Sequence, residues 1–192
     1  MPLMDPGKKW TIAALQNAIN RGINLPTLLG PANGQYTIRA EDGVGTCILE
    51  SPQESQADFV TFAFETGEIW AITTWPFKGH PKELFIGEIE SMFCELLPRY
   101  SRFLDTLGIP PPYKWMAALA GTKGRELQYP VPPGRMRIPG LAGPKCASDN
   151  VPRTGPYEGS YDGKQSPINA LVPFFDEVYN ACGMERPEHL PR

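Results

Sequence analysis

The chain has 192 residues, is 41% hydrophobic and carries a formal net charge of −3, which is enough apolar material for a substantial core. No apolar run approaches the roughly 18 residues that a membrane span requires, and Met1 to Lys9 lacks the apolar centre of a secretion signal. These totals argue against a membrane or secreted protein and predict a cytoplasmic one.

Trp10 to Leu15 predicts a helix start, with Thr11 as the cap and Trp10 and Leu15 as a hydrophobic staple. Ile12, Leu15 and Ile19 mark its buried stripe, and Gly22 is a stop. Gln35 to Arg39 alternates polar and apolar residues, and Glu41-Asp42-Gly43 turns it into a second strand at Gly45 to Leu49. Phe59 to Phe64 and Ile69 to Trp75 form the clearest hairpin. A two-residue turn at Thr66-Gly67 would set Phe64 opposite Ile69, Phe62 opposite Ala71 and Val60 opposite Thr73. Both faces of this hairpin are largely apolar, so each is expected to be buried, one by a helix and the other by the Pro/Gly-rich segment further on.

A helical pattern starts at His80-Pro81 and runs to Leu107, with a kink or break expected at Pro98. Residues 108–167 hold 11 of the 22 prolines and 9 of the 19 glycines. Their many aromatic and aliphatic residues speak for an ordered irregular cover rather than a linker. Within it, Tyr113 to Leu119 predicts a strand, Gly121 to Gly124 a turn and Arg125 to Tyr129 its return. Ser166-Pro167 starts a last helix, Pro173 restarts it, and Gly183 closes it. The ends, 1–9 and 185–192, are expected to be flexible. The fold class that emerges is α+β: a single domain, 1–192, with an antiparallel sheet around a central hairpin, one long kinked helix and Pro/Gly-rich ordered loops.

Charge is uneven along the chain. From Glu41 to Glu95 there are eleven acidic residues against Lys78 and Lys82, whereas 108–167 has eight basic against four acidic. Two faces that complement each other within the fold are the simplest reading. Four cysteines (Cys47, Cys94, Cys146 and Cys182) without a C-x-x-C predict four reduced thiols. His80 and His189 show no pairing for a metal, and no cofactor motif is present. Cys146 beside Lys145 is the best nucleophile candidate, with His80 the histidine outside the tail, but nothing in the sequence brings them together. Gly121-Thr122-Lys123-Gly124-Arg125 departs from the Walker pattern. It still makes Lys123, Arg125, Arg135 and Arg137 candidate anion contacts on turns.

Three stretches, Phe62 to Trp70, Leu107 to Trp115 with Pro132 to Met136, and Tyr161 to Pro167 with Pro173 to Phe175, carry a resemblance. They are similar to the C-terminal region of bacterial proteins that bear an N-terminal schlafen-type AlbA-like DNA-binding domain, a region to which no biochemical role is attached. The resemblance covers about Val60 to Arg192. The DNA-binding domain has no counterpart in Met1 to Ala57, so nucleic-acid binding does not transfer. The resemblance implies bacterial origin and a companion or regulatory module whose partner is a protein or an upstream DNA-binding domain. The expected function is therefore a non-enzymatic binding or interaction module. One alternative is an enzyme or anion-binding protein with a site between the 59–75 hairpin and 108–167. The other is direct nucleic-acid contact through the basic loops, which the overall pI of about 5.5 disfavours.

Overall fold

A computed structural model describes residues 9–20, 35–49, 57–132, 134 and 143–191. The fold is α+β, and the chain divides into two compact units. One comprises residues 1–75 and 96–111, the other 76–95 and 112–192.

The first unit contains helix α1 (Ile12–Asn20) and a four-stranded antiparallel sheet of β1 (Gln35–Ala40), β2 (Gly43–Ile48), β3 (Phe59–Phe64) and β4 (Ile69–Thr73) in sequential order. Thr11 caps α1 as expected, its hydroxyl accepting from the Ala14 amide at 3.2 Å. Trp10 and Leu15 are both buried. Gly22 lies outside the described residues. Helix α2 (Ile86–Thr106) contributes its second half here. Phe103 is fully buried, Tyr100 meets the Thr61 hydroxyl at 3.2 Å, and the Trp10 indole donates to the Leu107 carbonyl at 2.9 Å.

Hairpin β3–β4 departs from the predicted register by one residue. Ala63 pairs with Ile69, Phe62 with Trp70, Thr61 with Ala71 and Val60 with Ile72. The cause is the turn. The Phe64 amide donates to the Glu68 carbonyl at 2.9 Å, so the loop has three residues, and Gly67 sits at φ +86° and donates to the Phe64 carbonyl. A three-residue loop closed by a left-handed glycine is the second common hairpin solution. A slip of one residue transfers every side chain to the opposite face.

In the second unit, β5 (Glu83–Phe85) pairs in parallel with β8 (Glu126–Gln128). Strand β6 (Tyr113–Ala117) pairs with β10 (Tyr157–Tyr161), and β7 (Leu119–Ala120) with β9 (Asn150–Val151). The predicted return at Arg125 to Tyr129 therefore joins β5 and not the strand before it. The predicted long helix likewise starts later than His80, because Glu83–Phe85 is taken up as a strand, and it then runs unbroken through Pro98. Helix α3 (Pro167–Ala181) is also continuous through Pro173. Both prolines are carried as single missing donors rather than as breaks. Gly183 ends α3 as expected, with φ +78°. Its amide and that of Met184 return to Asn180 and Tyr179, a Schellman closure.

Leu84, Ile86, Ile89, Leu127, Leu171, Phe174, Phe175 and Val178 are fully or nearly fully buried in this unit. Trp115 stacks on Tyr157 and lies on Gly159, where an added Cβ would fall 2.2 Å from the indole. In the polar tail, Arg186 is buried and grips Glu90 with two nitrogens at 3.0 and 3.2 Å. Cys146 and Cys182 are joined as a disulfide that ties the 143–149 loop to the end of α3. That corrects the expectation of four reduced thiols: Cys47 and Cys94 are the free ones.

Candidate interaction surface

Among the described residues, the candidates that the sequence offered for chemistry lie apart. Cys146 is bonded to Cys182 and has no free thiol to pair with His80. The His80 ring meets the Glu83 carboxylate at 3.1 Å and packs edge-on against Phe85. Burial pushes the Cys94 thiol up to about 11, with the neighbouring Glu90 carboxylate adding to the effect. Burial also raises the Cys47 thiol. Neither free thiol is thus activated as a thiolate. Among the described residues no three His, Cys, Asp or Glu side chains come together as a metal set.

The cation cluster is only partly within the described residues, since Arg135 and Arg137 lie outside them. Lys123 is exposed on its turn. Arg125 is turned inward: it donates to the carbonyls of Gly121, His80 and Glu83 at 2.6, 3.0 and 3.4 Å, and its guanidinium sits 4.5 Å over the Phe77 ring. Arg125 thus works as a clamp on its own unit, and it does not join Lys123 in an anion cradle. Of the aromatic residues that could have stacked on bases, Tyr113 and Tyr161 are buried, and Trp115 and Tyr157 stack on each other.

The sheet of the first unit offers something different. Register divides its side chains into two faces. One carries Val44, Thr46, Phe59, Thr61 and Ala63, all buried. The opposite face carries Tyr36, Ile38 and Ala40 from β1, Gly43, Gly45 and Cys47 from β2, Val60, Phe62 and Phe64 from β3, and Trp70 and Ile72 from β4. No residue on it is charged. An antiparallel sheet with one solvated face normally alternates apolar and polar residues, and this one does not.

That second face is open. Trp70 and Ile72 are 59% and 67% exposed, and Tyr36, Ile38, Val60, Phe62 and Phe64 are half-buried. The expectation that both faces of the hairpin are buried therefore fails at β4. Side chains of the face also shield one another. Phe62 lies across the two glycines of β2, so that a Cβ at Gly43 or Gly45 would fall 2.5 or 2.6 Å from its ring. Phe64 bridges Phe62 and Trp70 edge-on, at centroid distances of 4.8 and 5.9 Å. The result is an aromatic sheet surface whose most exposed large apolar side chains, Trp70 and Ile72, stand on the edge strand β4.

The rim is also an open strand edge. Phe64 and Glu68, like Asp58 and Thr74, are hydrogen-bonded partners across the hairpin. Alternation then points the backbone groups of Trp70 and Ile72 toward β3, and those of Ile69, Ala71 and Thr73 outward. Four acidic residues gather at one end of the sheet, and Asp58 stands at the other, where the Thr74 amide donates to its carbonyl at 2.9 Å. Glu41 and Asp42 occupy the β1–β2 turn, Glu65 and Glu68 the β3–β4 turn, and the Glu65 amide donates to the Asp42 carbonyl at 2.8 Å. Lys9 pairs with the Glu65 carboxylate.

The chain matches no known family model, no curated protein and no solved structure. The register expected from the sequence puts Trp70 and Ile72 on the face opposite Phe62 and Phe64, with both faces covered, whereas the observed register brings all four to one face. The signal that could have marked the face as external is the Gly-x-Gly of β2, Gly43 and Gly45, opposite Phe62. A bulky ring resting on glycines needs no second layer to keep it ordered.

Proposed function

We propose that this chain is a non-catalytic interaction module that binds its partner on the uncharged face of the β1–β4 sheet, with Trp70 and Ile72 as anchors. The observation that carries the reading is a complete sheet face with no charged side chain and two large apolar residues more than half exposed. Contiguous apolar patches of this kind mark association sites, and aromatic anchors dominate the energetics of such contacts. The absence of an activated thiol on Cys47 and Cys94 and the inward turn of Arg125 support binding over catalysis. The resemblance of residues 60–192 to a companion region of bacterial DNA-binding proteins supports the same role.

An apolar-surface dye such as anilinonaphthalene sulfonate tests the accessibility of the face in dilute protein. Wild type should bind the dye, and Trp70→Glu/Ile72→Glu should lose most of the signal. His80→Ala and Lys123→Ala should leave it unchanged. Absence of dye binding to wild type, or full retention by the double variant, would remove this surface as the binding site.

A further inference from the structure

Resting on the reading of the β1–β4 face as a binding surface, we infer that the partner enters as an extended peptide segment of another protein, which pairs antiparallel with β4 and lengthens the sheet by one strand. Three observations lead there. The first is the backbone of β4. The ladder to β3 uses the main-chain groups of Trp70 and Ile72, and it directs the amides and carbonyls of Ile69, Ala71 and Thr73 away from the sheet. Among the described residues none of these outward groups is bonded. Ala71 is exposed and Ile69 and Thr73 are half-buried, so the edge is within reach of a partner. Donors and acceptors repeating along a strand of five residues match one chemistry, the main chain of a further strand.

The second is what the edge lacks. Exposed sheet edges are ordinarily blunted by a charge, a proline or a bulge. Strand β1, at the other side of the sheet, carries the exposed Arg39. Strand β4 reads Ile-Trp-Ala-Ile-Thr, with no charged residue, no proline and an unbroken register against β3. Nothing in β4 opposes a further strand.

The third is the row of side chains beside that edge, which separates a segment of another protein from a second copy. Antiparallel pairing to Ile69, Ala71 and Thr73 makes Trp70 and Ile72 the positions where facing side chains come closest. An aromatic residue opposite Ile72 and a β-branched one opposite Trp70 would cover the two most exposed large apolar side chains of the face. Next in the row is Glu68, which is exposed and pairs with no cation among the described residues. A Lys or Arg opposite it completes the row with a cross-strand ion pair. Two β4 strands aligned antiparallel about Ala71 would instead set Thr74 opposite Glu68 and leave the carboxylate unmatched. The segment that fits is therefore extended, apolar at alternate residues and basic at its C-terminal end.

Fluorescence anisotropy of the fluorescein-labelled peptide Thr-Phe-Thr-Val-Thr-Lys-amide, titrated with the full chain, tests it. Wild type should bind this peptide saturably. N-methylation of its third residue, whose amide faces Ala71, should weaken binding about tenfold or more. N-methylation of the second, whose amide points away, should change binding by less than about twofold. Ala71→Pro, which removes an outward amide and no ladder donor, should lose the peptide with an unchanged circular dichroism spectrum. Should that variant misfold, the two methylated peptides carry the same test on the wild-type chain. Glu68→Gln should weaken binding about threefold, and not at all when the peptide's lysine is replaced by glutamine. Equal binding of the two methylated peptides would exclude strand pairing and overturn the inference. Wild type that binds anilinonaphthalene sulfonate but no peptide at about 1 mM protein, beyond the range of specific association, would overturn the strand partner and leave the face a binding surface. Binding of neither would remove both. A dimer in sedimentation velocity that Ala71→Pro abolishes would make the occupant of the edge a second copy and overturn the segment of another protein.

Discussion

Glycine at 43 and 45 sets the character of the sheet face. A Cβ at Gly45 would meet the Phe62 ring and the Thr61 carbonyl, both at 2.6 Å, and one at Gly43 would meet the Ala63 carbonyl at 2.4 Å. Neither carbonyl can yield without disturbing the β2–β3 ladder. Gly45→Ala is expected to destabilise the protein by about 2–3 kcal/mol, the usual cost of overfilling a packed site. Urea unfolding measures it, and an unchanged midpoint would contradict the packing described. Arg125 shows a related limit on reading single residues. Its position on a glycine turn suggested an anion contact, but Phe77 and three carbonyls occupy it. Those partners lie as far back as residue 77, and no local pattern announces them.

At the scale of elements, the sequence carried the fold class, α1 with its Thr11 cap, the sheet strands and the glycine closure of α3. Hairpin register was less legible for a physical reason. Register is pinned when one face is apolar and the other polar. Phe59, Phe62, Phe64, Trp70 and Ile72 make both faces of this hairpin apolar, so two-residue and three-residue turns around Gly67 satisfy the pattern equally. Pro173 misled in the other direction, since α3 runs on through it, and α2 is likewise not broken at Pro98. Long-range pairings left no trace in local pattern, as β5 with β8 and Arg186 with Glu90 illustrate.

The disulfide is the clearest case, since cysteine spacing cannot tell a 36-residue closure from two isolated thiols. Alkylation of the denatured, non-reduced protein should label two cysteines, Cys47 and Cys94, and four after reduction. Cys146→Ser should lower stability by about 2–4 kcal/mol, as expected for opening a loop of this length. Four labelled thiols without reductant would contradict the pairing.

For the molecule as a whole, two units divide the work. The second is stapled by the Cys146–Cys182 bond, the buried Glu90–Arg186 pair and the Arg125 clamp. The first has a conventional core on one side of its sheet and an uncharged surface on the other. The acidic residues noted in the sequence do not stand on that surface: Glu41, Asp42, Glu65 and Glu68 lie in or beside the turns at one end of the sheet and Asp58 precedes β3 at the other. That surface is the central claim.

Nuclear magnetic resonance with a soluble paramagnetic relaxation agent tests it most directly, using the Ile72 methyl and Trp70 indole signals. In dilute protein both should broaden about as strongly as the signal of exposed Met116. Equal protection of Trp70 and Ile72 at every concentration would mean that the face is closed within the chain itself, and would contradict the account.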